Sequence, residues 1–336
     1  MAIPTTSETL NNLTVATLKS RPVGLINEIF ERWVFWRKLK EKGHIETAPA
    51  SRKITMDVEY AVNPTVKGFI RGGTLPGEDY EYMTQCEYDW KFIGGASLRF
   101  YTDTQINRGK NAVHKLVTTG IQNLEKSIIS KIETDVFLDG TGDGSSTILG
   151  LQKLVPDAAA TGGTVGNING NNETWWRNQS ANMSGKAVST YLRDYMNRMY
   201  NDCSLIDHGD DSFPDFFIAD QKTTETYDTE SYELVSVVNQ QKTGDIAISD
   251  LAYKGKPIHW SPKCPEVSTN NGRLYMLNTN FLWVKVMDAG AIKFVDWKPA
   301  SGNSLDWVLH GVFNGAFVTN CRAAQGVVYN IANQSL

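Results

Sequence analysis

Apolar residues recur at three- and four-residue steps between Pro22 and about Lys42: Leu25, Ile26, Ile29, Phe30, Trp33, Trp36 and Leu39. This spacing predicts an amphipathic helix. Pro22 suits its first turn and Gly43 the position after its end. A shorter helix is expected over 8–19. The stripe is broader and more aromatic than a lone terminal helix needs, so it must dock on something. Its other face carries Arg32, Arg37, Lys38, Lys40 and Lys42, and reads first as a solvated face.

The period then changes to two. In KITMDVEYAV, Ile54, Met56, Val58, Tyr60 and Val62 alternate with polar or small residues. In YMTQCEYDWKF, Tyr82, Thr84, Cys86, Tyr88, Trp90 and Phe92 do the same. Both read as strands with one apolar face. The second keeps its phase through Ala96, Leu98 and Phe100, with a bend expected at Gly94-Gly95. Straight, it would span roughly 60 Å, far beyond the ~17–20 Å of an ordinary strand. Such an arm is expected to project from its domain. Residues 63–81 join the strands and are too long for a tight turn. They hold Gly68, Gly72, Gly73 and Gly77, yet also Val66, Phe69, Ile70, Leu75 and Tyr80. Apolar groups at the tip of a projecting ribbon imply a partner surface.

From Thr104 to Leu138 the period is helical again. Val113, Val117, Ile121, Leu124, Ile128, Ile132 and Val136 mark one stripe, stopped at Asp139-Gly140. An α+β region follows. Helices are expected near 184–202 and 222–239, and strands at 216–219, 252–260, 274–277, 305–313, 316–322 and 326–331. Between these parts lies GGTVGNINGNNETWWRNQS, residues 162–180. Its adjacent Trp175 and Trp176 need a cover, supplied either by a neighbouring chain or by the chain's own body. Arg177 is expected to pair with a carboxylate or stack on an indole.

Composition narrows the function. With a net charge of −4 there is no global basic signature for nucleic acid. Charge is uneven: residues 1–71 hold eleven Lys/Arg against seven Asp/Glu, and 194–250 hold three against thirteen. This reads first as two solvated faces, and second as regions facing different surroundings in an assembly. The four cysteines are too scattered for a C-x-x-C pair, which argues against zinc and disulfide scaffolds. The N-terminus reads as no signal peptide, and no apolar run reaches membrane-spanning length.

Candidate chemistry is sparse. GTGDGSS, 140–146, lacks the lysine of a P-loop, and as a calcium loop it would carry Gly150 at the twelfth position instead of glutamate. A turn after the helix is expected. DHGDD, 207–211, reads as an acidic surface loop. The histidines at 44, 114, 208, 259 and 310 form no metal pair, and there is no G-x-S-x-G elbow. No catalytic residue, metal site or cofactor is expected, and the chain reads as a non-enzyme.

The order of features is informative: a helical arm, a long ribbon, a long helix, then LDGTGDG, ILGLQKLVPD and TGGTVGNINGNNETWWRNQS. This resembles the major capsid proteins of tailed double-stranded DNA bacteriophages, with the HK97-like fold. The matching residues are Gly150-Leu151-Gln152, Leu154-Val155, Gly163-Thr164-Val165-Gly166, Ile168 and Trp176-Arg177-Asn178. The resemblance implies an α+β fold with an N-terminal arm (1–50) and an extended two-stranded E-loop (51–101). It also implies a P-domain (102–185 and return strands 290–324) and an A-domain (186–289 and the last strand, 325–336). It implies self-assembly as hexamers and pentamers into an icosahedral shell around phage DNA, formed in the bacterial host cytoplasm and kept in the virion. Portal and decoration proteins, and a separate scaffold or none, would be the partners. No membrane and no sequence-specific DNA contact is expected, and the acidic 194–250 stretch would lie away from DNA. The expected assembly residues are Val66, Phe69, Ile70, Leu75, Tyr80, Trp33, Trp36, Trp175, Trp176 and Arg177. The alternative is an encapsulin-type nanocompartment shell enclosing a protein cargo. An adhesin or carbohydrate-active enzyme would carry secretion signals and paired catalytic carboxylates, which are not found.

Overall fold

The computed structural model describes residues 34–48, 51–74, 76–106, 110–204, 212–235, 252–268, 270–287 and 292–332. The expected helix at 8–19, the start of the next one with Trp33, Leu75, and the DHGDD loop lie outside the described residues.

The first described helix, α1 (Val34–Glu41), is amphipathic as its spacing requires. Its apolar face is short and fully used: Phe35, Trp36 and Leu39 are buried. Phe35 packs edge-on to Phe317 at 5.6 Å and against Phe216 at 5.4 Å. Gly43 follows with φ +73°, the left-handed value that ends a helix. Strand β1 (Ile45–Thr47) then lies parallel to β12 (Leu282–Val286). Residues 34–48 are therefore built into the chain's own body, which shortens the arm expected over 1–50.

Strands β2 (Ile54–Glu59) and β3 (Met83–Tyr88) form a two-stranded antiparallel ribbon of six residues a side. The paired part is about 20 Å long at ~3.3 Å per residue, so the expected 60 Å arm is corrected. The second strand breaks at Asp89-Trp90. Strand β4 (Lys91–Arg99) leaves the ribbon and joins β14 (Asn303–Thr319), pairing Arg99 to Trp307 and Lys91 to Gly315. The phase slips there by one residue. Cys86, Tyr88 and Trp90 are buried, then Ile93, while Phe92 and Leu98 are 56% and 52% exposed. The expected continuation of one face through Leu98 and Phe100 is thus reversed. Gly94-Gly95 is no bend. A Cβ on Gly95 would stand 2.6 Å from Leu124 Cδ1, because a helix rests directly on the strand there.

That helix is α3 (Lys110–Asp135), preceded by the short α2 (Tyr101–Ile106). Its 26 residues run about 39 Å. The predicted stripe is buried at Val117, Ile121, Leu124, Ile128 and Ile132, with Val136 just beyond the helix. The seventeen-residue β14 replaces two expected strands. It pairs with β4, with β13 (Ile292–Ala300) and with β12. A second sheet has the order β7-β15-β11-β8-β10-β9. Its strands are β7 (Gln179–Asn182), β8 (Phe216–Ala219), β9 (Ala252–Tyr253), β10 (Lys256–Trp260), β11 (Asn271–Leu277) and β15 (Gly326–Ala332). Helices α4 (Val188–Asp202) and α5 (Gln221–Val235) accompany this sheet, and Leu192, Met196 and Met199 of α4 enter its core with Phe217, Leu274 and Val328.

Candidate assembly surface

The glycine-rich stretch forms a hairpin, β5 (Thr164–Val165) and β6 (Ile168–Asn169). Its two-residue turn, Gly166-Asn167, has φ +61° and +64°, the mirror-image turn that favours Gly and Asn. The turn sits against the ribbon. Glu87 N donates to Gly166 O at 3.0 Å, and a Cβ on Gly166 would stand 2.9 Å from Cys86 Cβ. Tyr88 packs against the same turn, and its Oη donates to Thr319 O at 2.7 Å. Burial lifts the Tyr88 hydroxyl well above its usual range and the Cys86 thiol to about 11, so neither ionises near neutral pH. The ribbon base is a clamp of backbone and packing contacts, with no reactive group.

The tryptophans complete this clamp. Trp176 is 1% exposed and its Nε1 donates to Val165 O at 2.9 Å. Trp175 is half-buried, stacks on Tyr60 of the ribbon at 4.8 Å and donates Nε1 to Glu173. Among the described residues Arg177 neither meets a carboxylate nor stacks on a ring. Its Nε and Nη2 donate to the carbonyls of Gly170 and Asn171 at 2.6 and 2.7 Å, holding the loop closed. Trp36, also 1% exposed, lies in the main core of the chain beside Phe35, their rings 5.9 Å apart. Trp36 and Trp176 are therefore corrected as interface residues: their own chain already covers them. Apolar groups of the ribbon base, Ile54, Val58, Cys86 and Tyr88, are likewise dry within the chain.

The tip is different. Val66, Phe69 and Ile70 are 80%, 64% and 82% exposed, and Tyr80 is exposed too. Val62 and Tyr82, on the apolar side of the alternation, are exposed beside them, as is Met83. Described local bonds in the tip are short-range: Asn63 Oδ1 accepts from Thr65, and Gly73 N donates to Ile70 O. Phe92 and Leu98 of β4 form a second exposed apolar set that the expected phase had concealed.

Other candidate chemistry resolves into structure. Asp139 Oδ1 accepts from Thr141 N and Oγ1, and Asp143, Gly144 and Ser145 are left-handed, so 140–146 is the expected turn after the helix. All four cysteines are free thiols. Among the described residues no group of three or more His, Cys, Asp or Glu is placed to hold a metal, and no helix is long and apolar enough to cross a membrane.

No protein-family model matches the chain, and no curated protein matches it. Solved structures do. The capsid asymmetric unit of cyanophage A-1(L) is 18% identical, with a TM-score of 0.60 over 86% of this chain and 90% of that one. The capsid of Myoviridae phage XM1 is 9% identical, with a TM-score of 0.53 over 87% and 92%. The SrpI encapsulin of Synechococcus elongatus PCC 7942 is 10% identical, with a TM-score of 0.51 over 89% and 90%. At these identities the likeness is one of fold, and it spans almost the whole chain: this protein has the HK97-like fold of phage capsid and encapsulin shell proteins.

Proposed function

We propose that the chain is the major capsid protein of a tailed double-stranded DNA bacteriophage, assembling as hexamers and pentamers into a closed shell. The ribbon and its tip are the E-loop. The β4-β12-β13-β14 sheet with α3 is the P-domain, and the six-stranded sheet with α4 and α5 is the A-domain. On this reading the P-domain resumes at Leu282, earlier than the expected 290. The observation that carries the proposal is the contrast within the ribbon: its base is clamped and dry, while its tip holds Val66, Phe69 and Ile70 in water. A monomer gains nothing from holding an apolar tip in solvent. A neighbour does gain, because burying each such side chain is worth about 1.5–3 kcal/mol. Phe92 and Leu98 of an adjacent copy supply a matching apolar surface.

The contact is heterologous, so rings close only if the rotation fits. Expression followed by electron microscopy, alone and with a candidate scaffold, should give hollow polyhedral particles. Phe69→Asp with Ile70→Asp should leave a folded chain that makes none. A wild-type chain that stays monomeric under every condition tested rules the proposal out. The encapsulin likeness supports a second reading, a shell around protein cargo. Particles from the native source that carry a protein guest and no DNA would select it.

A further inference from the structure

Arg99 ends β4 on the face that α3 covers. The helix follows that strand closely. A Cβ on Gly95 would stand 2.6 Å from Leu124 Cδ1, and a Cβ on Gly120 would stand 3.0 Å from Ser97 Oγ. Two residues further along the strand, Arg99 comes level with the first turns of α3. The residue is only 8% exposed. Its guanidinium lies 5.5 Å over the ring of Trp297 on β13. Beyond that stacking, no hydrogen bond or ion pair reaches it among the described residues, and Nη1 is a buried donor without an acceptor. Trp297 Nε1, in the same stacked pair, is a second such donor. Asp306, on the neighbouring strand, accepts instead from Tyr101 N at 2.9 Å. Burial lowers the Arg99 pKa, and no carboxylate counters it. A buried charge without a counter-charge is costly.

Both side chains can only donate. The start of α3 adds donors of a third kind, because the first backbone N–H groups of a helix have no partner within it. The helix carries no acidic residue in its first turn to take them up. In sequence, residues 99–115 hold Arg99, Arg108, Lys110 and Lys115 against Asp103 alone, within a chain of net charge −4. We infer that this corner binds a tetrahedral oxyanion of the phosphate class, with Arg99 as its main ligand and Trp297 and the N-terminus of α3 beside it.

The guanidinium presents a planar fork to two oxygens, and the indole beneath it fixes the plane of that fork. The indole N–H and the helix N–H groups call for more oxygens. A carboxylate has two and is used up by the fork; a phosphate has enough for all three kinds of donor. The site is built within one chain, so it stands or falls separately from the shell. Free phosphate and the backbone of enclosed DNA offer the same chemistry.

Phosphorus NMR of inorganic phosphate with the full-length chain tests this, at constant ionic strength held by sodium chloride. The wild-type chain should broaden the phosphate line saturably, and its tryptophan fluorescence should change over the same titration. Arg99→Gln, which removes an unpaired buried charge, should bind phosphate about tenfold more weakly. Trp297→Phe leaves the guanidinium in place; it should still broaden the line but lose the fluorescence response. Absence of saturable broadening in the wild-type chain overturns the proposal, and needs no variant to fold. So does equal binding by Arg99→Gln. A short DNA duplex added to the phosphate-loaded chain separates the two sources. Sharpening of the line assigns the site to the polymer backbone, and an unchanged line assigns it to free phosphate.

Discussion

Gly150 shows what a motif glycine does when its φ is unremarkable. It precedes Leu151-Gln152-Lys153-Leu154, a single helical turn placed at the end of α3. A Cβ there would stand 2.3 Å from the carbonyl oxygens of Asp135 and Leu138. Those atoms are backbone and cannot swing aside. Gly150→Ala is expected to cost about 1–3 kcal/mol, the usual penalty of overpacking. Gly77→Ala, with nothing within 4 Å, should stay within about 0.5 kcal/mol. Urea midpoints of the two variants check this, and equal midpoints would show that the packing relaxes freely. Asp135 is a strained group of another kind. It is the last residue of α3, where the helix dipole disfavours a negative charge, and its side chain is fully buried. Lys131 Nζ lies 3.2 Å away and is shared with Asp143 at 2.9 Å. Burial raises the Asp135 carboxyl, and Lys131 offsets only part of that. A carboxyl raised by folding weakens the fold while ionised. The deficit is full above the raised folded value, fades as pH falls from there to the unfolded value, and is gone below it. Asp135→Asn should therefore raise Tm at pH 7, by a margin that shrinks on acidification towards pH 4. A margin that grows with acid would overturn this reading.

At the scale of elements, the sequence was legible where one period governs one environment. The stripe on α3 faces a single core, so Val117, Ile121, Leu124, Ile128 and Ile132 were readable from spacing alone. Strand β8, apolar at all four positions and buried, was readable for the same reason. The strand after the ribbon was not. Alternation specifies two faces but not which partner covers them, and the chain changes partners at Asp89-Trp90. Before the break the cover is the glycine-rich hairpin; after it, α3. A one-residue slip exchanges the faces. Phe92 and Leu98 then point outward although their spacing matched Tyr88 and Trp90. The candidate site divided along the same line. Trp36 and Trp176 have the composition of interface residues, but aromatic bulk is equally what a core needs, and both rings join the main core of their own chain. The exposure of Val66, Phe69 and Ile70 was legible because glycine spacing denied them any core of their own.

At the scale of the whole molecule, the proposed assembly demands that each copy give one ribbon tip and receive one. A ring of heterologous contacts has no spare donor, so one defective tip leaves one unfilled contact somewhere in every ring that includes it. This separates exchange between copies from a tip that only packs on its own chain. The Phe69→Asp, Ile70→Asp chain keeps its acceptor surface and its clamped base, so it can still enter rings. Mixed with wild type before assembly, it should poison them. If a six-membered ring tolerates no defective tip, an equal mixture leaves about one ring in sixty-four intact. A tip that served only its own chain would leave half of the wild-type yield. Shell yield should therefore fall far more steeply than the wild-type fraction, measured by sedimentation of unlabelled mixtures at fixed total protein. A linear decline would mean that no copy depends on its neighbour's tip, and the apolar surface at Phe69 and Ile70 would need another occupant.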